Sequence, residues 1–179
     1  LLGQGPAILE FKEAGVDGLM PVNLSVKKGK IFGISAFNAT SRLAICRIVS
    51  GLDPLHRGSI SLYGQPVKIR EPGDAVRLGI GYLKEDRVEW GLQNEFPIPP
   101  NISMGNLSEI RTMGLLQHAK EERVAWNYIR KFNIKTNSIK EKVSDLSTGN
   151  QQKVLLSRLL FSDCRILIME EPTQNIDKS

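Results

Sequence analysis

Apolar residues recur along the chain in two periods, and the switch between them predicts its elements. Residues 7–11 read as a short strand, and residues 21–26 as a second, with Val22, Leu24 and Val26 alternating with polar neighbours. Lys27-Lys28-Gly29-Lys30 predicts a turn, and the run Ile-Phe-Gly-Ile-Ser at 31–35 predicts a buried strand. Residues 41–50 place Leu43, Ala44, Ile45, Ile48 and Val49 on an amphipathic helix, which Gly51 can end. Residues 59–63 alternate again before a turn at Gly64, Pro72 opens a short helix to Leu78, and residues 80–83 form another strand.

The texture then changes. A proline-rich stretch at 94–100 leads into a mostly helical region. Its clearest helix spans 120–132, with Val124, Ala125, Tyr128, Ile129 and Phe132 on one face. A second helix spans 149–161, with a face built on Leu155, Leu156, Leu159 and Leu160. Residues 165–169 read as a buried parallel strand ending in Glu170-Glu171-Pro172. Strand–helix alternation around a helical insertion predicts an α/β fold with a helical subdomain.

Composition narrows the function classes. The chain has 179 residues, 41% of them hydrophobic and 24% charged, which fits a globular fold with a sizeable core. No apolar run reaches membrane-span length, and the N-terminus lacks a signal-peptide pattern. Cys46 and Cys164 are distant and in no metal-like spacing, so a disulfide framework or zinc site is not expected, and a reducing compartment is. The net charge of +5 is modest, aromatic residues make up 6%, and the basic residues are scattered, which argues against nucleic-acid binding.

Three segments carry candidate chemistry. The first is the strand–loop–helix junction at Ala36-Phe37-Asn38-Ala39-Thr40-Ser41, with Arg42 in the first helical turn. A helix N-terminus offers backbone N–H groups and a positive dipole end to phosphate. The bland alternative is an ordinary crossover with Thr40 or Ser41 as N-cap. The second is Leu146-Ser147-Thr148-Gly149-Asn150-Gln151-Gln152-Lys153-Val154, which also opens a helix; here the alternative is a capping box of Thr148 with Gln151. The third is Glu170-Glu171 at the carboxyl end of a strand, where a pair of carboxylates can hold Mg²⁺ and orient a water. A solvated strand end is the alternative there.

In this order the three segments resemble the ATP-binding subunits of ABC transporters, most of all the second ATPase half of ribose/xylose/galactose-type bacterial sugar importers. The residues that carry the resemblance span almost the whole chain. Lys28 to Ser35 resembles the strand before the family's Walker A loop, and Gly79-Ile80-Gly81-Tyr82-Leu83-Lys84-Glu85-Asp86-Arg87 its Q-loop region. Gly149 to Val154 is nearly the sugar-importer signature, and Glu171-Pro172-Thr173 with Ile176-Asp177 resembles the end of Walker B and the D-loop.

The resemblance implies a P-loop NTPase, a RecA-like core sheet flanked by helices with an antiparallel β part and a helical subdomain, truncated at the C-terminus. Residues 1–95 would form the antiparallel part and the first half of the core, 96–163 the helical subdomain, and 164–179 the Walker B strand and D-loop. It implies ATP and Mg²⁺ as cofactors. Asn38, Ala39, Thr40, Ser41, Arg42 and Leu43 would form the phosphate loop, with Arg42 in the lysine's place, as is common in such second halves. Glu171 would polarise the attacking water, and Glu170 would stand at the metal. Glu85 would sit near the metal and the permease-coupling surface, and Asp177 in the dimer interface. Ser147, Gly149, Asn150 and Gln151 would present the signature to ATP held by a second ATPase half, tandem or separate. Partners would be that half, the permease subunits and, indirectly, a sugar-binding protein. The place would be the cytoplasmic face of the inner membrane, peripheral through the permease.

Departures from the family pattern concentrate at the chemistry. Ala36, Ala39 and Ser41 replace the Walker A glycines, and Leu43 replaces the Ser/Thr that ligates Mg²⁺. Glu170 replaces the Walker B aspartate, Thr148 the first signature glycine, and Gln174-Asn175 the family's Arg-Gly. Losing one metal ligand and part of the phosphate cradle is expected to cost several kcal/mol at the transition state, about two orders of magnitude or more in rate. The expected function is therefore an ATP-binding importer component with an impaired site of its own. The alternative is a non-hydrolytic module that donates only its signature face to a competent half. Phe11 is the nearest candidate for the adenine-stacking aromatic, with a core position as its alternative. Neither His56 nor His118 matches the switch histidine, which the resemblance places on a strand beyond Ser179. That absence and the linker-like start at Leu1-Leu2-Gly3-Gln4-Gly5-Pro6 lead us to expect a fragment of a tandem protein.

Overall fold

The computed structural model describes residues 5–16, 20–35, 39–84 and 91–170, without the side chains of 39–42. It divides into two compact units, Leu1–Ile80 and Gly81–Ser179.

The first unit is built on an antiparallel sheet of β1 (Ala7–Gly15), β2 (Val22–Lys27), β3 (Arg57–Leu62) and β4 (Gln65–Val67), in the order β2-β1-β3-β4. Alternation sets the register: Phe11 stands opposite Leu24 on one side and Ile60 on the other, and Leu9 opposite Leu62. Both pairings of β1 shift register between 11 and 15, where Glu13 takes φ 49°. Gly58 opposes this bulge at φ +79°, and a Cβ there would stand 2.3 Å from the Lys12 and Glu13 carbonyl oxygens. Helix α1 (Ala39–Val49) contributes Ala44, Ile48 and Val49 to the buried set with Leu9, Phe11 and Ala14. Gly51 ends its last turn in the left-handed region. Arg47 then clamps Asp53 through Nε and Nη2 at 2.7 and 2.8 Å. Helix α2 (Pro72–Arg77) follows, with proline in its first turn.

The second unit pairs β5 (Ile80–Leu83) with β8 (Ile166–Met169) and packs helices around a separate core. These are α3 (Ile98–Ser103), α4 (Leu107–Ile110), α5 (His118–Phe132) and α6 (Thr148–Phe161), with a short hairpin of β6 (Arg111–Thr112) and β7 (Leu115–Leu116). Ile98, Ile102, Ile110, Val143 and Val154 are fully buried. Each such side chain contributes about 1.5–3 kcal/mol over leaving it exposed. Tyr128 stacks on Phe132 at 6.2 Å and meets Phe161 edge-on at 6.3 Å, joining α5 to α6. Asn133 ends α5 in the left-handed conformation, and Lys153 of α6 donates Nζ to the Asn133 carbonyl oxygen.

The two compact units divide at 80/81. The reason is packing, since Leu83 and Leu92 belong to the helical core cluster and β5 pairs with β8. The expected strand at 31–35 does not form: the segment lies in no sheet, Ile31 is fully exposed and Phe32 half-exposed. A buried parallel strand needs neighbours for its backbone groups, and no described strand pairs with this one. On β8 only Ile166 is buried, since β5 is its only partner among the described residues.

Candidate functional site

In the first unit, α1 starts at Ala39, so Thr40 and Ser41 lie inside the helix and neither is its N-cap. Residues 36–38, directly before α1, lie outside the described residues. Asn38 lies outside the described residues, as do the side chains from Ala39 to Arg42. Leu43 is half-buried on α1 and has no oxygen to give a metal. Phe11, at 3% exposure, is a core residue of β1 and cannot stack on a base.

In the second unit, the Glu170 N–H donates to the Leu83 carbonyl at 2.9 Å, extending the β5–β8 pairing by one residue. This draws the Glu170 side chain inward to 7% exposure, where it accepts a hydrogen bond from the Tyr82 hydroxyl. Glu85, Glu171 and Asp177 lie outside the described residues. Among the described residues no three His, Cys, Asp or Glu side chains gather where a metal could bind. Of the positions that the resemblance gives to the metal, Leu43 in the first unit and Glu170 in the second lie among the described residues. Glu170 is already held by a phenol, and Leu43 cannot ligate.

The segment expected to form the signature, residues 146–154, is split by its own hydrogen bonds. Ser147 is the N-cap residue of α6, and Ser147 and Thr148 are exposed with Gly149 half-buried. Asn150 is buried, accepting from the Lys135 N–H at 3.0 Å and donating to Ser147 Oγ at 2.9 Å. Gln151 is also buried and donates Nε2 to the Val143 carbonyl at 2.9 Å. The Thr148–Gln151 capping box does not form, because Thr148 is already helical and the Gln151 amide points to Val143. Ser147 to Gly149 thus form the accessible end, and the Asn150 and Gln151 amides hold it in place.

Two residues of this unit were not singled out by sequence reasoning. Asn101 is fully buried; its Oδ1 accepts from the Gln93 N–H, and its Nδ2 donates to the carbonyls of Gln93, Phe96 and Pro97. Arg158, on α6, donates Nη2 to Asn101 Oδ1 at 2.8 Å, Nε to the Asn101 carbonyl, and Nη1 to the Gly91 carbonyl. Burial pushes the Arg158 guanidinium below its ordinary pKa. The available signal was a cation amid the leucines of α6 and an amide among the prolines and isoleucines of α3.

Comparison with known proteins shows the family. The family model described as ABC transporter matches residues 19–174. A ribose/galactose/methyl galactoside import ATP-binding protein of Burkholderia cenocepacia is 37% identical over 172 residues, covering 95% of this chain and 34% of that protein. The ribose import ATP-binding protein RbsA of Bacillus licheniformis is 35% identical over 174 residues, covering 97% and 35%. The chain thus spans about a third of the length of the curated relatives it matches. Among solved structures, cbiO1 of Clostridium perfringens superposes with a TM-score of 0.75 at 18% identity, covering 96% of this chain and 68% of that one. The ATP-binding cassette MJ1267 gives 0.75 at 16% identity, covering 95% and 70%. These structures show the P-loop ATPase fold, the family implies ATP binding, typically with Mg²⁺, and the chain belongs to the ABC transporter family.

Proposed function

We propose that this chain is the nucleotide-binding part of an ABC-type sugar importer, coupling ATP binding to carbohydrate transport while its own ATP site is impaired. The observation that carries the reading is identity of 35% or more, across nearly the whole chain, to proteins named for ribose and galactose import. Arg42 and the N-terminus of α1 would hold the phosphates, and Glu171 would polarise the attacking water. Bound Mg²⁺ would supply charge stabilisation, but the described residues give it too few oxygens for any step to be routed through it here. No helix among the described residues is long and apolar enough to cross a membrane, in keeping with attachment to the inner membrane through permease subunits.

One arrangement favours a second reading, a module that lends only its signature face to a competent ATPase half. The signature end at Ser147 to Gly149 is built and accessible, whereas Glu170 is engaged by Tyr82. Thermal unfolding of the full chain with ATP, with and without Mg²⁺, separates the two. A ligand that binds only the folded state at a hundred times its Kd stabilises it by about 2.7 kcal/mol. The importer reading expects ATP to raise the melting temperature. A midpoint indifferent to ATP would leave the signature-donor reading.

A further inference from the structure

We infer that the β6–β7 hairpin is a lipid-binding element: its apolar tip enters the interface of an anionic bilayer while Arg111, Lys120 and Arg123 meet the headgroup phosphates. This contact is separate from attachment through permease subunits and needs no nucleotide.

The hairpin carries apolar side chains that return nothing to the fold. Met113 is 98% exposed, Leu115 71% and Leu116 47%. A Cβ on Gly114 would meet no atom within 4 Å, so the turn packs against nothing. Met113 also takes φ 50°, a conformation that asparagine or glycine adopts more readily than methionine. The root, by contrast, is fixed. Ile110 is fully buried, and the Gln117 N–H donates to the Ile110 carbonyl at 2.9 Å. The fold thus holds the hairpin firmly and leaves its apolar residues outside.

The charge beside the tip is complementary to an anionic surface. From Met104 to Lys131 there are five Lys/Arg against Glu109, Glu121 and Glu122. Glu121 is turned inward, where it accepts from Ser103 Oγ at 2.5 Å. The side chains of Arg111, Lys120 and Arg123 have no hydrogen-bond or ion-pair partner among the described residues. Arg111 lies on β6 opposite Leu116, and Lys120 and Arg123 stand in the first two turns of α5, directly after the hairpin. Lys120 is placed at the positive end of the helix dipole, where a cation works against its own helix.

The shape selects a bilayer over a protein. A stable protein partner covers roughly 800 Å² on each side with matched surfaces, and three side chains on a protruding hairpin offer too little for that. A bilayer interface takes an apolar tip without a matching pocket, and its anionic headgroups hold the basic residues around it. Each Lys or Arg near such a surface strengthens binding about fivefold.

The test is co-sedimentation of the full chain with vesicles of equal parts phosphatidylglycerol and phosphatidylcholine, and with vesicles of phosphatidylcholine alone. Met113→Asn removes the apolar tip and suits the left-handed turn. A triple variant, Arg111→Gln with Lys120→Gln and Arg123→Gln, removes the charge. Val76→Ser is the control, since Val76 is 66% exposed on α2 in the other unit.

The parent is expected to bind the phosphatidylglycerol vesicles at least about tenfold more tightly than the neutral ones. Met113→Asn weakens that binding about tenfold while its melting temperature holds or rises. The triple variant weakens it about a hundredfold, and Val76→Ser binds like the parent. Absence of binding to the phosphatidylglycerol vesicles, or equal binding to both kinds, overturns the inference. So does undiminished binding by Met113→Asn or by the triple variant, or a control weakened as much as they are. A fall in the melting temperature of Met113→Asn would assign Met113 to the fold, and a dimer in analytical ultracentrifugation that Met113→Asn dissolves would assign the tip to a second copy of the chain; either result also overturns it.

Discussion

Replacing Gly105 by alanine tests how tightly α6 is seated. Gly105 follows α3, and its φ is not in the left-handed region, so alanine carries no backbone penalty there. The cost is contact. The added Cβ would lie 2.4 Å from the Arg158 carbonyl oxygen and 3.2 Å from Arg158 Cγ, and real Cβ atoms do not approach an oxygen so closely. The nearest atom is helix backbone and cannot rotate away. Either α6 or the turn after α3 must retreat by roughly 1 Å, which strains the Arg158–Asn101 bonds as well. Overpacking of this kind typically costs about 1–3 kcal/mol, and an immovable neighbour puts this site near about 3. A chain of this size loses about 2–4 °C per kcal/mol, so the melting temperature should fall by about 6–12 °C. Circular dichroism melts of parent and variant measure it. A shift under about 2 °C would show that α6 and the turn at Gly105 are not in rigid contact.

Two further predictions concern the first unit. Leu43→Thr restores a hydroxyl at the position where the family ligates metal, and should give the ATP-induced melting shift a Mg²⁺-dependent part that the parent lacks; identical melts with and without Mg²⁺ would rule this out. The hydrogen bond from Arg47 holds the Asp53 carboxyl below its usual range, so its contribution is complete above the unfolded value of about 3.9 and lost as pH falls through the lower folded value. Asp53→Asn should therefore lower the melting temperature at pH 7, by a deficit that shrinks as pH falls below about 3.9, and a deficit that does not shrink on acidification would contradict the assignment.

Elements whose period is satisfied inside their own segment were legible. The strand at 80–83 has the expected bounds, and the helices at 118–132 and 148–161 begin within two residues of expectation, because each presents an apolar face to an adjacent core. The run at 31–35 has the composition of a buried strand, but a strand is completed by its neighbours, and no described strand pairs with it. The β6–β7 hairpin went unread because two-residue strands show no alternation. Its turn, Met113-Gly114, takes positive φ at both positions with Met113 almost fully exposed. The face of α6 was read from its leucines, yet its fully buried positions are Val154 and Ser157, the latter bonding back to the Lys153 carbonyl.

The candidate site was legible as a string of letters but not as a division of labour. In the signature segment, adjacent residues of similar polarity serve opposite ends. Ser147, Thr148 and Gly149 face outward, while Asn150 and Gln151 are buried on Lys135 and Val143. Spacing cannot separate these roles, because a helix N-terminus offers the same residue types to a ligand and to the loop before it. The same ambiguity hid Asn101 and Arg158. Asn101 bonds to backbone groups of residues 93–97 and Arg158 to the backbone of Gly91 and Asn101, and backbone partners leave no trace in residue type. Glu170 shows the converse. A carboxylate placed by pattern at a metal is drawn to Tyr82 on the neighbouring strand. An aspartate, one methylene shorter, has less reach to that phenol.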